Sequence, residues 1–226
     1  YDLYARNRDF LLSEQVLTFT DPGGRLKALR PDVTLSIVKA YVPGGIKRLQ
    51  YLENVYRPHP DTGEFQEIMQ LGLECLGAID DAETAEVLGL AADSLRALSQ
   101  DFMLTLSDMG LIRGRLNACT QDSALQKQLL RLIGQKNLHG LKALCQEEGL
   151  QSGPLEELVT LSGAPEDVLF RLNQQESRTL SRCVAALQEA GCGAQCRVDF
   201  SISTDAAYYD GILFKGYISG LPGSIL

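Results

Sequence analysis

The chain has 226 residues, of which 45% are hydrophobic and 22% are charged. These proportions are ordinary for a globular protein and are sufficient for one sizeable core, or for a core with a small appended unit. No apolar run approaches the ~20 residues of a membrane-spanning helix, and no segment has the pattern of a signal peptide. The net charge of −8 and the scattered positions of the 21 basic residues disfavour nucleic acid as a partner, because nucleic-acid binding needs clustered lysine and arginine. We therefore predict a cytoplasmic protein that binds neither a membrane nor nucleic acid.

A helix is predicted from Pro31, since the missing N–H of proline is not needed at the first helical position. Asp32 and Thr34 then lie in the first turn, where a carboxylate favours the positive end of the helix dipole. The predicted buried stripe and the end of the helix are given by Val33, Ile37, Val38, Tyr41 and Pro43-Gly44-Gly45. Helix capping alone explains Asp32 as well as a binding role does.

Two strands are predicted next, over residues 51–57 and 65–77. Because successive side chains of a strand alternate between its faces, Gln70 and Glu74 should lie on one face with Gly72 between them. This polar face could hold a small zwitterion by its ammonium group. Met69, Leu71 and Leu73 should lie on the opposite face, buried under helices. The simpler alternative is an antiparallel strand with one buried face and one face exposed to solvent.

The rest of the chain divides into three stretches. A second helix is predicted after Asp80, with Glu83 close to a capping-box position and an apolar stripe that ends at Leu98. Residues 111–191 have the spacing of several short helices interrupted by glycines, packed beside the sheet and contributing nothing to the polar face. Residues 196–203 and 212–218 have the alternation of strands.

The six cysteines give no evidence of a metal site. They contain no Cys-x-x-Cys pair, and only two histidines are present in the chain. A tetrahedral zinc site needs a second ligand cluster, which the spacing does not provide. We expect reduced thiols, as in a cytosolic protein, and neither a metal nor another cofactor.

Taken together, these segments resemble the class II aminoacyl-tRNA synthetases, and among them the histidyl-tRNA synthetase branch, over residues 1–100 and 195–226. The sequences of the two strands are most similar to those of a related non-synthetase family, the regulatory subunits of ATP phosphoribosyltransferase. The resemblance implies an α+β fold with an antiparallel sheet flanked by helices. It also implies a synthetase-like core made of residues 1–110 and 192–226, and a helical insertion over residues 111–191.

The resemblance further implies which residues hold an amino acid. Asp32 takes the place of the acidic residue that receives the ammonium group, with Thr34 as its support. Arg57 matches the arginine that touches the carboxylate, a role that suits its planar guanidinium. The remaining matches line the histidine side chain or close over it: Gln70, Glu74, Tyr208 and Tyr209. Without the resemblance, Arg57 would be interpreted as a surface ion pair and the tyrosines as ordinary sheet packing.

Two positions depart from the synthetase pattern. Glu64 lies where the enzymes grip the ATP γ-phosphate with an arginine, and a negative charge there repels a triphosphate. Thr204, in Thr204-Asp-Ala-Ala207, replaces the arginine that acts on the activated carboxylate, and a hydroxyl cannot balance the developing charge. The chain is therefore not expected to form an adenylate.

We accordingly expect a catalytically inert subunit that partners the short-form catalytic subunit of ATP phosphoribosyltransferase, is required for its activity and mediates histidine feedback. L-Histidine is the expected ligand, and self-association is expected. One alternative is a fragment of a divergent histidyl-tRNA synthetase. A second is an amino-acid-binding relative with another partner.

Overall fold

The computed structural model of the chain describes residues 1–7, 15–59, 62–204, 209 and 211–226. These residues form two compact units, the first made of the described residues up to Asp80 and the second of those from Asp81 onward. Within the described part of the chain, no helix is both long enough and apolar enough to cross a membrane.

The first unit is built around one long antiparallel pair of strands. Its elements are α1 (Asp2–Ala5), β1 (Thr18–Thr20), β2 (Leu26–Ala28), α2 (Thr34–Ala40), β3 (Lys47–Pro58) and β4 (Phe65–Leu76). The short strands β1 and β2 form their own antiparallel hairpin. Strands β3 and β4 pair along their whole length, with Tyr51 opposite Gly72 and Arg57 opposite Gln66.

The second unit contains a four-stranded sheet with helices. Its elements are α3 (Asp81–Leu98), β5 (Phe102–Asp108), α4 (Met109–Cys119), α5 (Ser123–Gly134), α6 (Leu138–Glu147), α7 (Gly153–Thr160), β6 (Ser162–Gly163), α8 (Pro165–Leu169), α9 (Gln174–Glu189), β7 (Cys196–Asp199) and β8 (Ile212–Ile218). The strand order is β6-β7-β5-β8. Strand β5 runs parallel to β7 and antiparallel to β8. The helix starts follow from capping residues, such as Asp122 before α5 and the Asn173–Glu176 capping box before α9.

The α+β class predicted from the sequence is confirmed, but the chain divides at Asp80, not at the predicted boundaries of 110/111 and 191/192. The cause is the parallel pairing of β5 with β7. Parallel neighbours need a long crossover connection, and α4 to α9 lie in the chain between these two strands. The helical segment therefore belongs to the same compact unit as the strands on either side of it.

Two further details differ from the predictions. The segment 111–191 was expected to stay outside the sheet, yet β6 pairs with β7 at the sheet edge. The predicted helix after Asp80 does begin at Asp81, but Leu98 is an exposed side chain. The buried apolar stripe is made of Leu88, Ala91, Ala92 and Leu95.

Candidate functional site

The candidate site lies in the first unit, on one face of the β3/β4 ribbon and on the turn that precedes α2. The strand register places Arg57 and Tyr51 of β3 on the same face as Gln70 and Glu74 of β4, since directly opposed residues of an antiparallel pair share a face. A hydrogen bond from Thr34, at the start of α2, to Glu74 then connects this face to the helix.

Asp32 provides a buried carboxylate with one unused oxygen. The residue is 7% exposed, and Oδ1 accepts a hydrogen bond of 2.9 Å from the backbone N–H of Leu35. The other oxygen, Oδ2, is buried and has no hydrogen-bond partner among the described residues. A buried polar atom without a partner is costly, so a donor from a bound ligand would stabilise this position.

The helix beside Asp32 begins later than predicted. The sequence placed Pro31 at the first helical position, whereas α2 starts at Thr34 with Val33 as its N-cap. Asp32 therefore lies before the first turn and caps the helix from there through Leu35. Leu35 is also the most buried residue of α2, a position that the predicted stripe did not include.

Thr34 and Glu74 are joined by a short hydrogen bond. The Thr34 hydroxyl donates to Glu74 Oε1 at 2.5 Å. Burial raises the pKa of the Glu74 carboxyl above its usual value, the Thr34 hydrogen bond opposes this effect, and the negative charge of Asp32 adds to it. The site thus brings two carboxylates close enough to repel each other, an arrangement that favours a bound cation.

Arg57 is held in place at two points on the same face. Its Nε atom donates to the Pro31 carbonyl oxygen at 2.6 Å, and Nη2 donates to Gln70 Oε1 at 2.9 Å. The simpler interpretation, a surface ion pair, does not describe this arginine, because both of these bonds go to uncharged oxygen atoms. It provides a positively charged end to a site whose other end is negative.

Tyr51 is a residue of this site that the sequence analysis missed. Its hydroxyl accepts a hydrogen bond of 3.1 Å from Gln70 Nε2, and its ring covers Gly72, which faces it across the ribbon. The predicted empty step at Gly72 is thus filled by an aromatic side chain. An aromatic residue opposite a strand glycine is a recognised pairing, but using it requires the register of β3 against β4, which the sequence alone did not give.

Tyr4 is a second residue that was missed. It is buried, and its hydroxyl lies beside the Ser36 side chain of α2. Burial raises the pKa of Tyr4, and the nearby charge of Asp32 adds to this effect. No motif in the sequence connects a residue so near the beginning of the chain to this site.

The structure does not place the two predicted tyrosines at this site. Tyr208 lies outside the described residues. Tyr209 belongs to the second unit, where it is partly buried against the hydrophobic core of that unit. The structure therefore brings together Asp32, Thr34, Arg57, Gln70 and Glu74, and the assignment of Tyr208 and Tyr209 to the same site stays a prediction.

The prediction for the apolar face of β4 was wrong. Met69 and Leu71 are 70% and 74% exposed, and Leu73 is also exposed. The alternation itself holds, because Gln70 and Glu74 both bond to residues of the polar face. What failed is the assumption that helices cover the opposite face: α2, the helix that follows the turn at Asp32, is connected by Thr34 to the polar face.

The two departures from the synthetase pattern lie in different units. Glu64 is exposed, and its backbone carbonyl accepts a hydrogen bond from the backbone N–H of His59 at 2.7 Å. Thr204 lies in the second unit and lines an open groove of about 570 Å³. This groove is formed mainly by α5 and includes no residue of the polar face. Its other lining residues are Lys127, Gln128, Leu130, Arg131, Gly134, Gln135, Ser201 and Ser203.

The chemistry available at the site of the first unit is binding through charge and hydrogen bonds. Asp32 and Glu74 attract a cation, and Arg57 attracts an anion. An amino acid carries both charges. Within the described ranges, no group of histidine, cysteine and acidic residues is arranged to hold a metal ion.

Comparison with known proteins identifies the family of the chain. A family model described as Histidyl-tRNA synthetase matches residues 5–226, and the chain therefore belongs to the histidyl-tRNA synthetase family. The histidine–tRNA ligase of Methanosarcina acetivorans is 30% identical over 97% of this chain and 55% of its own length. The ATP phosphoribosyltransferase regulatory subunit of Moorella thermoacetica is 33% identical over 92% of this chain and 58% of its own length.

A solved structure supports the fold. A chain of the ATP phosphoribosyl transferase (HisG:HisZ) complex from Thermotoga maritima superimposes with a TM-score of 0.77 at 20% identity, covering 96% of this chain and 85% of that one. The fold is thus that of the class II synthetase-like proteins. The chain spans little more than half the length of the two sequence relatives named above.

Proposed function

We propose that this chain acts in the non-catalytic regulatory subunit of ATP phosphoribosyltransferase, the enzyme of the first step of histidine biosynthesis. The observation that carries the proposal is a contrast within the chain. The groups that would hold an amino acid are assembled on the β3/β4 ribbon, whereas Glu64 and Thr204 stand where a synthetase of this family has arginines. Such a protein keeps a ligand site and lacks two cations that adenylate formation needs.

The proposed ligand is L-histidine, bound on the polar face of the ribbon. Its ammonium group is assigned to Asp32, whose Oδ2 atom is buried without a described partner. Its carboxylate is assigned to Arg57, and its side chain to Gln70 and Glu74. Thr34 supports Glu74, and the pair Tyr208 and Tyr209 would close the site by resemblance to the family.

The proposed partner is the short-form catalytic subunit of ATP phosphoribosyltransferase. Support comes from relatives named as regulatory subunits of that enzyme and from the similar fold of a chain in a HisG:HisZ complex. In this proposal the subunit is required for activity and transmits feedback inhibition by histidine. Self-association of the regulatory subunit is part of the same proposal.

A second candidate function is adenylate formation by a histidyl-tRNA synthetase. The observation that favours it is the 30% identity with the Methanosarcina acetivorans ligase over 97% of this chain. The two functions differ in a single reaction, the activation of histidine with ATP.

Reconstitution tests the proposed partner. The protein that contains this chain is co-expressed with a short-form catalytic subunit and purified through a tag on one of them. We expect co-purification, a phosphoribosyl transfer rate well above that of the catalytic subunit alone, and inhibition by histidine. A catalytic subunit that is equally active and equally inhibited without this protein would contradict the proposal.

Pyrophosphate exchange separates the two functions. With ATP, Mg²⁺ and histidine we expect no exchange, because loss of one electrostatic contact of this kind costs about 10²–10³ in rate and two such contacts are absent here. Thr204→Arg alone should not restore exchange while Glu64 remains. Robust exchange by the unmodified protein would favour the synthetase.

Calorimetric titration with histidine tests the ligand assignment. Glu74→Gln should weaken binding, because it removes a negative charge that faces the ligand. Glu67→Gln is the matched control, since Glu67 lies on the same strand but opposite Tyr56 and on the exposed face. Equal affinity of both variants and the unmodified protein would exclude the polar face as the histidine site.

A further inference from the structure

The open groove of the second unit, here named the α5 groove, combines two cations with a wall of hydroxyl groups. Its volume of about 570 Å³ is within the range of pockets that hold small molecules. Lys127 and Arg131 line it from α5, and both are exposed. Because they are four residues apart on the helix, they lie on the same face of α5.

The positive charge of the α5 groove is not balanced by neighbouring acids. Within the described part of the chain, neither Lys127 nor Arg131 forms an ion pair or a side-chain hydrogen bond. None of the described lining residues is acidic. Asp199, two residues before Ser201, is paired with Lys136 at 2.6 Å, so its charge is already balanced. The described lining of the groove therefore carries a net positive charge.

The helix alone explains only one of the two cations. Arg131 lies in the last turn of α5, where the helix dipole favours a positive charge. Lys127 lies one turn earlier, and the effect of the dipole is confined to the last turn. A solvated helix face would explain both exposed cations, but not the hydroxyl groups that a different segment brings to the same groove.

The hydroxyl wall comes from the segment that follows β7. Ser201, Ser203 and Thr204 line the groove from there. Gly134, the last residue of α5, allows the two walls to approach closely, because a Cβ atom at this position would lie only 3.1 Å from Ser203 Oγ. The Ser203 hydroxyl has no hydrogen-bond partner among the described residues, so its hydrogen is available to a ligand.

We propose that the α5 groove binds a small sugar phosphate. Arg131 binds two phosphate oxygens through its planar guanidinium, and Lys127 adds a second positive charge. The hydroxyl of Ser203 donates to a remaining oxygen. A phosphate monoester fits this set of donors better than a carboxylate does, since it offers three acceptor oxygens and a charge of about −1.5 to −2.

The rest of the groove accounts for the sugar. The groove is much larger than a phosphate group, and Leu130 is its one apolar residue among the described lining residues. The side-chain amides of Gln128 and Gln135 also line it, and amides both donate to and accept from sugar hydroxyl groups. The α5 groove shares no residue with the polar face of the first unit, so this proposal does not depend on histidine binding.

Titration with ribose 5-phosphate tests the site directly. Amide signals of the isotope-labelled protein that contains this chain are followed by NMR. We expect saturable shifts at Lys127, Arg131 and Ser203, weaker binding of inorganic phosphate and no binding of ribose. Binding should weaken as salt is added, because salt screens exposed charges. The proposal is overturned if these residues show no saturable shift, if the shifts are confined to Arg57 and Gln70, or if ribose binds equally well.

Substitution of the two cations tests their role. Arg131→Gln and Lys127→Gln should each weaken ribose 5-phosphate binding about tenfold, since a hydrogen bond to a charged group is lost. Arg178→Gln is the matched control. Arg178 is an exposed arginine of α9 that lies outside the lining of the groove and has no described side-chain partner. Its substitution changes the net charge equally and should leave binding unchanged. An equal loss in the control, or no loss in any variant, would contradict the proposal.

Ser203→Ala separates binding between the two walls from general attraction by charge. The variant keeps every charge of the protein and removes one hydroxyl. We expect ribose 5-phosphate to bind about fivefold more weakly, the effect of losing one hydrogen bond of ordinary strength. Unchanged affinity would overturn the proposal, because attraction by charge alone does not need the groove.

Discussion

The two units of this molecule use their side chains in opposite ways. The second unit buries a continuous apolar core in which Leu129, Leu141, Leu187 and Phe200 are fully covered. The first unit leaves Leu71 exposed and buries the Asp32 carboxylate, whose Oδ2 atom has no hydrogen-bond partner among the described residues. The second unit also buries one such atom, but it is the neutral hydroxyl oxygen of Ser107. Packing therefore stabilises the second unit, whereas the first unit keeps a carboxylate in a position that costs stability and is available to a ligand. A protein maintains such positions where they serve binding.

The largest expected effect compares two leucines. Leu129→Ala removes a fully buried side chain of α5, whereas Leu71→Ala removes one that is 74% exposed on β4. We expect a loss of about 2–5 kcal/mol in unfolding free energy for the first and a change within about 0.5 kcal/mol for the second. Urea denaturation followed by circular dichroism measures both. If Leu71→Ala is as costly as Leu129→Ala, its face of the ribbon is covered in solution.

The next effect compares two ion pairs. Arg115 is nearly buried and bonds Glu176 at 2.8 Å and Glu157 at 2.9 Å, whereas Arg25 pairs with Asp21 at the surface. Arg115→Ala should cost about 2 kcal/mol, because charge-assisted hydrogen bonds are lost. Arg25→Ala should cost at most about 1 kcal/mol. Denaturation at neutral pH measures the difference.

The pH dependence of the same pair sharpens this prediction. The hydrogen bond from Arg115 lowers the pKa of Glu176 below its usual value. A lowered carboxyl pKa contributes stability above the unfolded-state value and loses it as pH falls through the folded-state value. The difference in unfolding free energy between Arg115→Ala and the unmodified protein should therefore become smaller in acid. A gap that stays constant down to acidic pH would show that the arginine acts through packing alone.

A smaller effect compares two glycines. A methyl group on Gly72 would collide with the Tyr51 ring, whereas Gly89 in α3 has open space around its Cβ position. Gly72→Ala should cost about 1–3 kcal/mol by overpacking and should abolish histidine binding by displacing Tyr51. Gly89→Ala should gain up to about 1 kcal/mol through helix propensity. Thermal unfolding and calorimetry check both, and a stable Gly72→Ala protein with unchanged binding would contradict the account of Tyr51.

The smallest expected effect is at Glu74, whose pKa is raised mainly by burial. With a folded-state pKa above the unfolded one, the ionised group lowers stability at neutral pH, and this penalty disappears as pH falls below the unfolded-state value. Glu74→Gln should therefore melt at a higher temperature than the unmodified protein at pH 7 and at the same temperature in acid. Glu67→Gln serves again as the control. An equal rise in its melting temperature at pH 7 would show that burial of Glu74 is not the cause.

The sequence by itself determined the class of fold, the family and the β4 residues of the polar face. Alternation along β4 placed Gln70, Gly72 and Glu74 together because a strand has a period of two, and this holds whatever the surroundings are. Capping residues and apolar spacing likewise predicted a helix after Asp80, since these are local properties.

Only the tertiary structure decided which residues pack against each other or face each other from neighbouring strands. Tyr51 entered the site because it faces Gly72 from another strand, and Leu71 stayed exposed because no described element covers it. The parallel pairing of β5 with β7 moved the boundary between the units to Asp80. Alternation specifies which side chains share a face, but not which segment packs there, because that choice depends on residues far apart in the chain.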